Sequence, residues 1–213
     1  MMLRLPFALA CIVATGFAVA AETQPVAPAA EAAPDAAAQP ANDTFEGYVL
    51  IEDWSMPLRL SGSSVVSRRY LPFYAVGLYV GRGPADAAAL ARGMTPCRFA
   101  IHWLVPQVNA ADAESYWREQ FAKAVSDPLA RERLESSFAR IIAAFGDAKR
   151  GDTLLLDYHP ERGLRVWRNG SVAGQFAGLE LNRMVLSLWL GPQVPSDLRN
   201  PLLGVATAFD ATH

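Results

Sequence analysis

The chain has 213 residues, 52% of them apolar, and a formal net charge of -2. This length suits one folded domain, and the mild acidity excludes a general electrostatic attraction to nucleic acid. Three histidines without HxxxH or HxH spacing, and two cysteines without CxxC spacing, give little support for a metal site. We therefore predict no metal, no cofactor and no nucleic-acid partner.

The first twenty residues have the pattern of a secretory signal peptide. Arg4 supplies an early positive charge, an apolar stretch covers residues 5 to about 17, and small residues follow at 18–20. We predict cleavage after Ala20 and a periplasmic or secreted protein without a stable membrane span. An uncleaved anchor is the alternative, although the apolar stretch is short and rich in alanine for a span.

Residues 21–43 consist mostly of alanine and proline with few aliphatic side chains. Such a segment cannot bury enough apolar surface to fold, so it is predicted to be a disordered tether. The folded domain then covers residues 44–213. Loss of Cys11 on cleavage leaves Cys97 alone, and the alternating stretch "CRFAIHWLV" around it predicts a strand with a buried thiol.

The first half of the domain predicts strands followed by helices. Alternating β-branched and aromatic residues predict strands in "EGYVLIED", "LRLSG", "SSVVSRRYL" and "FYAVGLYVG". A short helix ending at Gly93 comes before the Cys97 strand. Asn109 is the predicted N-cap of a longer helix, and Pro128 opens the next one. The apolar stripe of that next helix consists of Leu134, Phe138, Ile141, Ile142 and Phe145.

The second half predicts hairpins and a final pair of helical segments. Three short strands are indicated by "GDTLLLDYHP", "LRVWRNG" and "SVAGQF", with Asn169-Gly170 supplying a type I′ turn. A helix over "AGLELNRMVLSLWLGP" ends at Gly191-Pro192, and "PSDLRNPLLG" packs the end of the chain. Strands, helices and strands again, without strict βαβ alternation, predict an α+β fold with a mostly antiparallel sheet.

No catalytic motif stands out from the residues alone. There is no GxSxG nucleophile elbow and no glycine-rich phosphate loop. Glu52 and Asp53 are adjacent, so in a strand they would point to opposite faces rather than work as a pair. Most of the aromatic residues are expected in the core.

Four blocks of the domain, taken together, resemble the bacterial chalcone-isomerase-like family. The first block, "LSGSSVV" and then "YAVGLYV", is similar to a family pattern Leu-Asn-Gly-x-Gly-x-Arg, an aromatic run and Tyr-x-x-x-Leu-Tyr. The other blocks are "GDTLLLDYHPERGLRVWRNG", "LELNRMVLSLWLG" and "LRNPLLG", and order and spacing agree from Gly47 to Gly204. The resemblance implies an open-faced β-sandwich, a large antiparallel sheet covered by helices on one face.

The resemblance also implies two kinds of function. Plant members with isomerase activity close a chalcone into a flavanone, using an arginine to hold a phenoxide and a threonine and a tyrosine to organise a water. Other relatives bind fatty acids in the same cleft and lack that activity. Here the family arginine falls on Val66 and the threonine on Tyr74, Ser64 replaces the second glycine, and Tyr116 is out of register with the helix tyrosine. Valine cannot donate a hydrogen bond to an oxyanion, so isomerase chemistry is disfavoured and no catalytic residue is predicted.

Arg68 is the candidate that replaces the missing arginine. In a regular strand Arg68, Tyr70 and Tyr74 share one face, and we predict that these three side chains line a ligand-binding cleft. Alternatively, Arg68 and Arg69 split between the two faces and at least one is an ordinary solvated charge. Pro72 cannot donate to a sheet ladder, so it indicates a bulge or an edge that would change this alternation.

Three functions stay open at this point. The favoured one is a non-catalytic protein that binds a fatty acid or a similar amphiphile between sheet and helices, with Arg68 near the carboxylate. The second is an isomerase or lyase acting on an enone-type substrate. The third is a structural or partner-binding role at the envelope, with an exposed aromatic surface drawn from Tyr48, Trp54, Trp167 and Trp189.

Overall fold

The computed structural model of the protein describes residues 44–51 and 53–205. The signal peptide and tether predicted for residues 1–43 lie outside these ranges. The strands are β1 Tyr48–Val49, β2 Leu58–Arg68, β3 Leu71–Val80, β4 Cys97–Trp103, β5 Gln107–Val108, β6 Ala148–Lys149, β7 Thr153–His159, β8 Gly163–Arg168 and β9 Ser171–Phe176. The helices are α1 Ala87–Ala91, α2 Ala110–Ala124, α3 Pro128–Phe145, α4 Leu179–Leu190 and α5 Ser196–Leu202.

Seven of these strands form one antiparallel sheet in the order β1-β2-β3-β4-β7-β8-β9. Among these seven, strands that follow one another in sequence are neighbours in the sheet, and the connection from β4 to β7 contains β5, α2, α3 and β6. The remaining two strands, β5 and β6, pair only with each other. The predicted α+β fold, with a large antiparallel sheet covered by helices on one face, is confirmed.

The main core lies between the sheet and the helices. Alternate residues of the central strands point toward α2, α3 and α4, as the twofold repeat of a strand requires. The largest fully buried side chains of this core are Phe99, Ile101, Trp117, Phe138, Ile141, Leu154, Leu156, Tyr158 and Trp189. Burial of each such side chain contributes about 1.5–3 kcal/mol relative to exposure, so this layer supplies most of the driving force for folding.

The other face of the sheet carries a smaller core formed with the N-terminal segment. Phe45 and Ile51 pack there against Ala75 and Tyr79. Gly77 makes this possible, because a Cβ atom at that position would come within 3.0 Å of the Phe45 ring. Since both cores consist of residues between Phe45 and Leu202, this part of the chain contains what it needs to fold by itself.

Side-chain caps account for the starts of α2 and α3. The Asn109 side chain accepts a hydrogen bond from the backbone N–H of Asp112 at 2.9 Å, as predicted for the start of α2. Asp127 caps α3 directly before Pro128, and the helix ends at Gly146, whose φ is 63°. No helix in the described ranges combines the length and the apolar character needed to cross a membrane.

The β2–β3 hairpin differs from the sequence prediction. The stretch "SSVVSRRYL" does not continue as one strand, since the chain turns at Arg69 and Tyr70, whose φ values are 53° and 67°. Positive φ at both central residues is the geometry of a type I′ turn, which normally uses asparagine and glycine. The prediction was wrong because neither turn residue carries that signal. The irregularity indicated by Pro72 is present, as the register shifts between Val66 and Ser67.

Candidate functional site

A cavity of about 700 Å³ opens on the helix side of the sheet, at the end of β2. It lies between the last residues of β2, one side of α2 and the segment that joins α4 to α5. Val66, Leu188, Val194 and Leu198 are among its apolar lining residues. Its charged lining residues are Arg68, Arg69, Glu119, Lys123 and Asp197. An apolar wall beside charged groups suits an amphiphile, and the volume is within the usual range for ligand sites.

Arg68 lies on the wall of this cavity. Its guanidinium carbon is 5.7 Å from the ring centre of Tyr116 and 5.9 Å from that of Phe73. At these distances the two rings hold the guanidinium by cation–π attraction without using its N–H donors. Arg68 forms no ion pair with any other described residue. The arginine is therefore positioned but electrostatically available.

Tyr70 does not lie in the cleft. It is at the tip of the β2–β3 turn, and its side chain is fully exposed to solvent. The face-sharing argument that placed Tyr70 beside Arg68 required a regular strand, and the turn at Arg69 and Tyr70 removes that premise. The predicted set of three is thus split, with Arg68 at the cavity and Tyr70 outside it.

Tyr74 lies beneath the cleft rather than on its surface. It pairs with Val66 across the β2–β3 ladder and is only 2% exposed. Its hydroxyl accepts a hydrogen bond from the indole N–H of Trp189 at 3.2 Å and is 3.1 Å from the hydroxyl of Tyr116. Burial raises the pKa of Tyr74 well above its usual value. Tyr74 is consequently a neutral core residue, and the hydroxyl of Tyr116 is the partner for its second hydrogen bond.

Tyr116 is a further residue of the cavity wall, and the sequence did not place it there. Tyr74 has a single proton, and if Tyr116 donated to Tyr74, that proton would be buried without an acceptor in the described structure, at a cost of about 1–3 kcal/mol. Tyr74 therefore donates to Tyr116. The hydroxyl proton of Tyr116 is then not used in this hydrogen bond, and Tyr116 is one of the residues that line the cavity.

The protonation state of Tyr116 limits its chemistry. Burial raises its pKa to about 12, against opposing effects of the hydrogen bond from Tyr74 and the charge of Arg68. At neutral pH the residue is a hydrogen-bond donor and not a base. The sequence carries little signal for this role, because Tyr116 follows helical spacing like any core aromatic residue, and only the docking of α2 shows that it borders a cavity.

The acidic residues at the cleft, Glu119 and Asp197, form no ion pair with Arg68. Glu119 accepts a hydrogen bond from Lys123 at 2.7 Å, and this bond is the main reason that the pKa of Glu119 is lowered. Asp197 lies in the first turn of α5. No three His, Cys, Asp or Glu side chains in the described ranges come together in a group that could hold a metal ion. Arg68 and Arg69 are hence the cationic lining residues of the cavity that form no ion pair with a described residue.

The four aromatic residues considered for an interaction surface differ in exposure. Tyr48 is largely exposed, whereas Trp54 and Trp167 are half-buried. Trp189 is buried in the main core, where it stacks on Phe99 with the ring centres 4.8 Å apart. These residues do not form one exposed surface. Cys97 is fully buried, as its alternating strand predicted.

Comparisons with known proteins agree with this architecture. No curated protein matches the sequence. Among solved structures, the fatty-acid binding protein AtFAP1 of Arabidopsis thaliana superposes with a TM-score of 0.57 at 14% identity, covering 74% of this chain and 96% of that protein. This likeness shows a shared fold. The sequence model of the family described as chalcone isomerase-like matches residues 50–204, most of the described domain. The chain belongs to the chalcone isomerase-like family.

Proposed function

We propose that this protein is an exported, non-catalytic binding protein for a fatty-acid-like amphiphile. The ligand's carboxylate lies against Arg68 and Tyr116, and its apolar chain follows the cavity wall formed by Val66, Leu188 and Leu198. The observation that carries the proposal is the guanidinium of Arg68, which is held by two aromatic rings at the cavity and has no anionic partner among the described residues.

The energetics favour a carboxylate over a neutral head group. Arginine can donate two parallel hydrogen bonds to a carboxylate, and hydrogen bonds to charged groups contribute about 1.5–3 kcal/mol each. The hydroxyl of Tyr116 adds a further donor from the same side. The Arabidopsis protein of the same fold is named for fatty-acid binding, which supports the choice of ligand class.

The cleft has neither an arginine at the family's catalytic position nor a tyrosine that could act as a base for isomerase chemistry. The family arginine position holds Val66, and Tyr74 is buried under the cavity floor, where it can reach no substrate. Tyr116 is protonated at neutral pH, so it cannot take a proton from a phenol. A chalcone cyclisation assay tests this alternative. A rate above background that is lost in Arg68→Gln would replace the binding proposal with the enzymatic one.

A fatty acid and the fatty alcohol of equal chain length form the direct test of the binding proposal. Native mass spectrometry and thermal unfolding of the chain from Ala21 are expected to show a complex with the acid and weaker binding of the alcohol. Arg68→Gln is expected to remove this preference, while the exposed Arg140→Gln control keeps it. Absence of any complex with either compound contradicts the ligand class, and an unchanged preference in Arg68→Gln contradicts the role of Arg68.

Export is the part of the proposal that rests on residues 1–20 alone. The expected result is a protein recovered outside the cytoplasm with a mass corresponding to loss of these residues. A full-length protein recovered in the cytoplasmic fraction would contradict it.

A further inference from the structure

The tip of the β2–β3 hairpin exposes apolar side chains that have no role in the fold. Tyr70 is fully exposed, and Leu71 is 70% exposed. Pro72, which follows, is exposed too. These residues form a continuous apolar tip on a projecting turn, next to the exposed Arg69.

The backbone at this tip is strained. Arg69 and Tyr70 both have positive φ, at 53° and 67°, although both carry side chains that disfavour this conformation. Asparagine and glycine would form the same turn at lower energy. The exposed ring of Tyr70 gains no packing contact that would offset this strain. Backbone strain that no packing contact within the protein offsets indicates a functional role, here a contact with another molecule.

The charge around the tip has one sign. Between Trp54 and Ala85 the sequence contains four arginines and no aspartate or glutamate. The two at the tip, Arg68 and Arg69, form no ion pair with any described residue. The nearby acids have other partners: Glu119 binds Lys123, and Asp112 accepts a hydrogen bond from the Asn109 side chain.

The position of the tip links it to the cleft. Arg68 and Arg69 line the 700 Å³ cavity, and both also line a smaller groove of about 300 Å³ with Leu71 and Pro72. A surface that contacts the tip is thus close to Arg68 and to the cavity.

We propose that the β2–β3 tip docks on an anionic lipid bilayer. Tyr70 and Leu71 enter the headgroup region, where tyrosine is favoured because it has an apolar ring and a polar hydroxyl. Arg69 pairs with lipid phosphates. One small apolar tip with few charges gives weak and reversible binding, which suits brief contact. The contact with the bilayer does not depend on the proposed amphiphile.

Vesicle co-sedimentation tests the docking. The chain from Ala21, which contains the whole folded part, is mixed with phosphatidylcholine vesicles with and without phosphatidylglycerol. Binding is expected only with the anionic lipid and is expected to weaken as salt is added. The double variant Arg69→Asn, Tyr70→Gly restores a favoured turn, so it is expected to keep or raise the Tm while losing about tenfold or more in vesicle binding.

A matched control and two further outcomes complete the test. Val172→Ser removes an exposed apolar side chain at the opposite edge of the sheet and is expected to bind vesicles like the wild type. Equal vesicle binding by the double variant and the wild type overturns the proposal. If vesicles do not bind at all and the tip instead mediates a dimer or contact with another protein, the proposal is also overturned. Because Arg69 also lines the cavity, fatty-acid binding in solution is measured on Tyr70→Gly alone, which lies outside the cavity; loss of vesicle docking in this variant with the acid still bound distinguishes this proposal from the function above.

Discussion

Two arginines on opposite faces of the sheet, Arg98 and Arg68, differ in whether the fold supplies a carboxylate partner. Arg98 of β4 donates two hydrogen bonds to Asp157 of β7, at 2.5 and 2.9 Å, and this carboxylate is 1% exposed and also accepts from the indole of Trp167. Arg68 lies against two aromatic rings and forms no ion pair with any described residue. The comparison separates a charge that is fully engaged in the fold from one that the fold positions and leaves available, and only the second suits a ligand.

The largest effect is expected from the engaged pair. Asp157→Ala leaves Arg98 without its carboxylate and removes the acceptor for the N–H of Trp167. We expect the free energy of unfolding to fall by about 3–5 kcal/mol, because breaking a buried pair leaves an uncompensated charge. Urea unfolding measures this. A loss under about 1 kcal/mol would show that Arg98 finds another partner or solvent, and the contrast with Arg68 would disappear.

A smaller loss of stability is expected for Tyr74→Phe, under the cleft. The substitution removes the acceptor for the buried indole of Trp189 and the donor to Tyr116. An unsatisfied buried group costs about 1–3 kcal/mol, and urea unfolding is again the measurement. Fatty-acid binding is expected to persist, since Tyr74 does not line the cavity. Loss of binding with unchanged stability would mean that Tyr74 is part of the site.

The stability of the protein at alkaline pH tests whether Tyr116 is buried in the protonated form. The pKa of Tyr116 is raised from its usual value near 10 to about 12 in the folded protein, chiefly by burial. The folded state therefore holds its proton more tightly than the unfolded state between these values, and stability falls as pH rises from about 10 to 12, by up to ~1.4 kcal/mol per pH unit. Below pH 10 this contribution is constant. The pKa values of Tyr74, Tyr79 and Tyr158 are also raised by burial, so Tyr116→Phe is expected to reduce the slope by the share of Tyr116 and not to abolish it, which unfolding of variant and wild type across this range would show.

The smallest effect on stability is expected for Arg68→Gln. This change removes only cation–π contacts at a half-buried position, so the free energy of unfolding is expected to change by about 0.5–1 kcal/mol or less. A loss as large as that of Asp157→Ala would place Arg68 among the residues that hold the fold together. Its availability to a ligand would then be contradicted.

The sequence predicted the features that depend on neighbouring residues. Asn109 as a helix cap and Asn169-Gly170 as a turn, with φ values of 47° and 80°, follow from local hydrogen bonding and local sterics. Pro128 opens its helix for the same kind of reason. The order of such elements and the four family blocks were enough to predict the fold.

The candidate site was predicted only in part, because it depends on register and docking. The turn at Arg69 and Tyr70 contains no asparagine, glycine or proline, so the sequence placed the break between the two strands near Pro72 and not at the turn itself. Tyr116 borders the cavity only because α2 packs beside the end of β2. The pairing of Arg98 with Asp157, 59 residues apart, likewise requires the β4–β7 register. No periodicity within one segment contains that information.

The buried thiol of Cys97 gives the folded domain a built-in reporter. It is fully buried at the start of β4, the central strand of the sheet, and burial together with the nearby charge of Asp157 raises its pKa, so the reactive thiolate is suppressed while the protein is folded. After removal of residues 1–20 it is the one cysteine of the chain. Its rate of reaction with a thiol reagent thus reports how often the sheet opens around Cys97, and no engineered label is required.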